Sequence, residues 1–223
     1  MILPVPGVLS PENIAEILRI KDTLEFVDGK ATAGWHAKLV KQNRQAAASD
    51  ALAAVQRLVI DAIAAHPVIR SFAMPHRISP PLISSYKGGE NYGLHVDEAI
   101  MGSGPGALRT DISVTVFLVN PDTYEGGELE VQTPAGSMAV KFKAGDAALY
   151  PSTTLHRVRP VTSGERVVAV AWIQSLVRNA EQREILYDLD RTRRIVFEAR
   201  GKTEVFDTLS KTHANLQRMW SDV

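Results

Sequence analysis

Apolar positions recur at helical spacing near both ends of the chain and at alternating spacing through its middle. Ser10 followed by Pro11 is a helix start, a hydroxyl cap with proline at the first helical position. Ile14, Ile17 and Leu18 continue it at helical spacing. A second helix is predicted over 49–66, with the stripe Leu52, Val55, Val59 and Ile63, and Pro67 ends it. Residues 35–44, between the two, read as a strand or a loop. From residue 82 onward β-branched residues alternate with polar ones, and glycine and proline punctuate them. Strands are predicted over 82–86, 94–97, 111–118 and 147–150, with a hairpin formed by 128–132 and 138–142. In 111–118, Ile112, Val114, Val116 and Leu118 face one way and Ser113, Thr115 and Phe117 the other. The run 166–173 is almost continuously apolar, as a strand buried on both faces would be. Helical spacing returns over 181–200, through Ile185, Leu186, Leu189 and Val196. Gly201 interrupts it, and a last helix over 205–219 is expected to turn Phe206, Leu209, Leu216 and Met219 inward.

Helices, then many short strands, then helices define a mainly β chain with flanking helices, an α+β class. The strands suit a closed barrel or a jelly roll of two packed sheets. The organisation expected is a helical segment over 1–77 packed on the core, a core over 78–174, and a helical segment over 175–223. Those terminal helices also offer surfaces for a homodimer.

Composition narrows the chemistry. There is no cysteine among the 223 residues, which excludes disulfides, iron–sulfur clusters, thiolate zinc sites and cysteine nucleophiles. Lysine plus arginine number 25 against 25 aspartate plus glutamate, so the basic excess of a general nucleic-acid binder is missing. The first seven residues lack a basic region and a long apolar core, unlike a signal peptide. No apolar run nears the ~20 residues that span a bilayer. A cytoplasmic protein is expected.

Candidate chemistry centres on His95, Asp97 and His156. In an extended strand residues i and i+2 point to the same side, so His95 and Asp97 would converge. His156 lies 59 residues past Asp97, room for strands to cross and return. Two nitrogens and one oxygen, without sulfur, suit a ferrous ion with one face open. Arg166, ten residues after His156, is a fixed cation able to hold a carboxylate with two parallel hydrogen bonds. A His-x-Asp pair alone is common, and the neighbouring residues carry the case further.

Tyr86-Lys87-Gly88-Gly89-Glu90-Asn91-Tyr92-Gly93-Leu94-His95-Val96-Asp97 has the pattern Tyr-x-x-Gly-x-x-Tyr-x-x-His-x-Asp. It resembles the metal-binding strand of the prolyl 4-hydroxylase-like branch of iron(II)- and 2-oxoglutarate-dependent dioxygenases. The segments 109–113, 124–129 and 144–158 resemble the strands and turns that follow in that branch. Tyr187-Asp188-Leu189-Asp190 and 213–220 resemble the C-terminal helices of bacterial PKHD-type hydroxylases, some of which are labelled iron-uptake factors. The resemblance implies a double-stranded β-helix, that is, a jelly-roll core. It implies Fe(II) on His95, Asp97 and His156, with 2-oxoglutarate chelating the metal and its C5 carboxylate reaching Arg166. Tyr86 is then placed near the cosubstrate. The implied reaction hydroxylates an unactivated C–H bond and decarboxylates 2-oxoglutarate to succinate, with L-ascorbate as a further cofactor.

The substrate stays open between a siderophore-like small molecule and a peptidyl side chain. The glycine-rich segment 101–106 reads as a lid over it. Tyr92 reads as structural, and Trp172 as core in preference to pocket wall. Two rivals share parts of the pattern. Nucleic-acid repair dioxygenases carry a second arginine six residues past the first, where this chain has Trp172. A non-catalytic jelly roll binding a metal or small ligand would not need the full set of ligands and arginine.

Overall fold

The computed structural model describes residues 2–222. Its first helix, α1, spans Pro11–Lys21. The Ser10 hydroxyl accepts from the Asn13 backbone N–H at 3.2 Å, and the Asn13 side chain reaches back to the Ser10 N–H, a reciprocal cap. The helix α2, Asp50–Ala65, buries the expected Leu52, Val55, Val59 and Ile63. Pro67 ends it and opens a separate short helix, α3, Pro67–Ala73, bent 73° from α2.

Two antiparallel sheets form the jelly roll. The larger has nine strands. Its main path runs Leu3–Val5, Ala147–Pro151, Ile112–Phe117, Val161–Ser175, Leu82–Lys87, Arg44–Ala46 and Phe26–Asp28. The smaller orders Gly136–Val140, Leu129–Thr133, His156–Val158, Asn91–His95 and Lys41–Gln42. Val161–Ser175 is the centre of the larger sheet, and period-two alternation gives its faces different work. Val167, Ala169, Ala171 and Ile173 pack with Ile17 of α1, the α2 stripe and Ile69 of α3. Val168 instead joins Tyr86, Phe117 and Tyr150 against Leu129, Val131 and Val158 of the smaller sheet. The helices therefore cover one face, and the other looks into the space between the sheets.

Some sequence expectations shift. The metal strand is Asn91–His95, so Asp97 lies past its end and not within it. Residues 35–44 hold a 3₁₀ turn, Ala37–Leu39, and the strand Lys41–Gln42; Arg44–Ala46 follows. The first 77 residues thus supply strands to both sheets as well as helices. The glycine-rich segment lies within a small hairpin, Ile100–Met101 with Leu108–Arg109.

The C-terminal helices α4, Ala180–Arg200, and α5, Glu204–Trp220, pack together and dock through Leu186, Leu216 and Trp220 against Met74 and Val177. Met219 is 74% exposed and is not on the inner face; Trp220, one residue on, takes that place. A buried carboxylate ties α4 to α3: Asp190 accepts from Ser71 Oγ at 2.6 Å and from Arg193 and Arg194. Burial pushes its pKa up, but these hydrogen bonds outweigh burial and hold it at about 2, below the ordinary 3.8. A depressed folded-state pKa stabilises above the unfolded value and loses that stabilisation as pH falls through the folded one. Acid titration of thermal stability should therefore fall from about pH 4 toward pH 2, and Asp190→Asn should flatten that limb while lowering stability at neutral pH. An unchanged acid limb in the variant would contradict this assignment.

Candidate metal centre and adjoining pocket

His95 and His156 are direct partners on adjacent antiparallel strands, so their side chains leave the smaller sheet side by side. Their ring centroids are 4.2 Å apart. Asp97, two residues past His95, brings Oδ1 to 3.8 Å from His156 Nε2. One donor atom from each of the three residues lies within 4.8 Å of the others. Adjacent-strand pairing makes the histidine pair, and the chain leaving the strand turns the carboxylate back to them.

Neighbouring groups fix each donor. His95 Nδ1 lies 2.8 Å from the Gly93 carbonyl and His156 Nδ1 2.9 Å from the Thr154 carbonyl. A carbonyl only accepts, so both Nδ1 atoms carry a proton, and each ring in its neutral form turns the Nε2 lone pair to the site. Burial, with His156 beside it, lowers the His95 pKa and keeps that ring neutral. Tyr92 stacks on His95 at 3.5 Å and Tyr150 meets His156 edge-on at 5.0 Å, which limits ring rotation. Ser113 donates to Asp97 Oδ2 at 2.5 Å and shares a 2.7 Å hydrogen bond with Ser152. That leaves Oδ1 as the free oxygen on the histidine side. Two imidazole Nε2 atoms and one carboxylate oxygen form a donor set suited to a divalent first-row metal.

Beyond the triad the space between the sheets is a pocket of about 690 Å³, mouth included. Arg166 and Tyr86 line it as paired residues on neighbouring strands. Arg166 is 1% exposed, and its Nε and Nη1 have no hydrogen-bond partner among the described residues. Its guanidinium is stacked 5.0 Å from the Tyr86 ring and 5.7 Å from Phe117. A buried charge left uncompensated costs about 3–5 kcal/mol, so such a guanidinium calls for an anion. Burial raises the Tyr86 pKa, which keeps its hydroxyl protonated. The residues present thus fit a divalent metal at the triad and, in the same pocket, an anion at Arg166.

Trp172 lines this pocket, against the expectation of plain core, and Tyr92 does more than fill volume. Met101, from the predicted lid, lines it too. Thr32, Lys41, Asn43 and Gln45 were missed altogether. All lie in or beside the segment left between strand and loop, where no periodicity marks an inward face.

A model of the 2OG-Fe(II) oxygenase superfamily matches residues 81–174, which hold the triad, Tyr86 and Arg166. The fold has solved counterparts. A Pseudomonas putida prolyl-4-hydroxylase superposes with a TM-score of 0.53 at 19% identity, covering 78% of this chain and 92% of that one. The epimerase SnoN from nogalamycin biosynthesis superposes with a TM-score of 0.56 at 18% identity, covering 79% and 77%. Architecture and sequence therefore define an oxygenase jelly roll. The chain is 48% identical, over the full length of both, to a PKHD-type hydroxylase of Acaryochloris marina, and it belongs to the PKHD-type hydroxylases.

The Ser113 hydroxyl is predicted to orient Asp97. Ser113→Ala should weaken divalent-metal affinity by about 10–100-fold, the usual effect of losing such a supporting hydrogen bond. Calorimetric titration with Co(II) measures it, and unchanged affinity would remove Ser113 from the centre.

Proposed function

We propose that this chain is an Fe(II)- and 2-oxoglutarate-dependent hydroxylase acting on an unactivated C–H bond. Substrate, dioxygen and 2-oxoglutarate become hydroxylated substrate, succinate and carbon dioxide. The carrying observation is the buried guanidinium of Arg166, with Nε and Nη1 lacking a partner among the described residues, in the same pocket as the converging His95, Asp97 and His156.

Each residue then has a task. His95 and His156 would hold the iron through Nε2, and Asp97 through the oxygen that Ser113 leaves free. Bound iron supplies dioxygen activation, and 2-oxoglutarate supplies two electrons. Arg166 pairs with the C5 carboxylate, and the Tyr86 hydroxyl gives a further donor beside it. Tyr150, Phe117, Leu129 and Val158 exclude bulk water around the cosubstrate, which strengthens these polar contacts. L-Ascorbate, as a reductant for over-oxidised iron, belongs to the same proposal. The absence of a second arginine at Trp172, and of net positive charge, supports a substrate other than nucleic acid.

Anaerobic addition of Fe(II) and 2-oxoglutarate should produce the visible charge-transfer absorption of a chelated 2-oxo acid, and oxygen should then release succinate. Neither signal from the metal-loaded protein would favour a non-catalytic binding module. Arg166→Gln should cost about 2–5 kcal/mol of 2-oxoglutarate affinity, as loss of a buried charge pair does. An unchanged affinity would place the cosubstrate elsewhere.

A further inference from the structure

Arg166 is not the sole buried cation of the pocket. Lys41 is 3% exposed and lines the same space from the smaller sheet. It pairs in register with Tyr92, and its Nζ lies 5.1 Å from the Tyr92 ring centroid. That ring is the one stacked on His95, so the ammonium belongs to the wall of the metal centre. Lysine is almost never fully buried without a partner. Yet no carboxylate among the described residues comes within 4.0 Å of Nζ, while other lysines in the chain have one.

Among the described residues its one side-chain hydrogen bond is to a hydroxyl. Lys41 donates to Thr32 Oγ1 at 3.0 Å. The Thr32 hydroxyl donates to Gln45 Oε1 at 2.5 Å, with the Gly29 carbonyl also within reach at 3.1 Å, and Gln45 Nε2 donates to Ser84 Oγ at 3.2 Å. The relay runs one way. It fixes the lysine as a donor in position and satisfies one of three N–H bonds. Burial lowers the Lys41 pKa to about 8, with Asp97 and Asp28 opposing the fall, so the group remains mostly charged at neutral pH. Across the pocket, on the larger sheet, Trp172 is 8% exposed and its Nε1 has no acceptor. The two sheets thus each present buried donor capacity that is not fully met, two N–H bonds of Lys41 and the Trp172 indole N–H, and buried donors left so are costly.

We propose that Lys41 anchors a carboxylate of the substrate, with the Trp172 indole N–H as a second donor, so that this hydroxylase takes a small free carboxylic acid of the amino- or hydroxy-acid class. The inference rests on the hydroxylase reading above. Two buried cations match two anionic molecules: Arg166 serves the far carboxylate of 2-oxoglutarate, and Lys41 serves the acid to be oxidised. Placement on the wall of the metal centre puts that carboxylate close to the carbon attacked. An internal peptide residue other than aspartate or glutamate has no carboxylate to offer there and would leave the ammonium uncompensated. The other source of the same chemistry is the C1 carboxylate of 2-oxoglutarate, and the test separates the two.

Protein loaded with Mn(II), which holds the site without turnover, is titrated calorimetrically with 2-oxoglutarate. A panel of free L-amino and 2-hydroxy acids follows, each paired with its methyl ester, together with N-acetylated, amidated peptides centred on proline or lysine. At least one acid should bind more than about tenfold more tightly than its ester, the effect of one charge-assisted contact. Lys41→Gln should erase that preference and Lys41→Arg should restore much of it, both with 2-oxoglutarate affinity within about twofold of the parent. Thr32→Val, which removes the anchor and keeps the charge, should weaken the acid partially; it stands in if Lys41→Gln fails to fold. A panel in which no acid is favoured over its ester overturns the proposal, as does peptide binding that Lys41→Gln leaves intact. Loss of 2-oxoglutarate affinity in Lys41→Gln assigns the lysine to the cosubstrate and also overturns it. A parent protein that binds no 2-oxoglutarate at all sinks the hydroxylase reading itself, a result distinct from the others.

Discussion

The pairing of His95 with His156 across two neighbouring strands is the constraint on which the rest depends. It sets two imidazoles side by side in a buried interior, where each is tolerated only with its polar atoms satisfied. Backbone carbonyls two residues upstream satisfy one nitrogen of each ring, and the other nitrogens face the pocket. A slip of one residue in either strand would send one imidazole to the opposite face of the sheet. The jelly roll is what prevents that slip. The histidine strands lie within the smaller sheet, and its apolar partners Leu129, Val131 and Val158 fit only one register against the larger sheet.

Charge placement follows the same logic. The interior between the sheets holds the guanidinium of Arg166 and the ammonium of Lys41, with the Asp97 carboxylate lining the same pocket. In an apolar enclosure these groups gain strength from weak screening and are costly when unpaired. A pocket built so is preorganised for anions: the protein folds around unmet charge, and binding supplies the counterparts. The helices α1 to α3 cover the opposite face of the larger sheet and stiffen it without contributing to the chemistry.

Much of this was legible in the sequence. The stripe of α2, the cap of α1 and the alternation around Val114 and Thr115 carry local physics that tertiary structure did not override. His95, Asp97, His156, Tyr86 and Arg166 stood out because residue types at fixed spacing can be matched to a chemistry and to a family. The position of Asp97 outside its strand was not legible, since a chain that leaves a strand and curls back keeps the same two-residue spacing. Lys41, Asn43 and Gln45 were invisible for a different reason. They sit on strands of two and three residues or in the residue between them, too short for a period to show, and only pairing with distant strands turns them inward. Trp172 read as core because an aromatic residue on a buried strand looks the same whether it faces a pocket or a packed interior.

The central claim is that residues far apart in the chain share one iron with open coordination positions. X-ray absorption at the iron edge, on the anaerobic protein with Fe(II) and 2-oxoglutarate, tests it most directly. The account predicts two imidazole ligands among nitrogen and oxygen neighbours, one of them lost in His156→Ala. An iron environment without imidazole scattering, or one unchanged by that substitution, would contradict it.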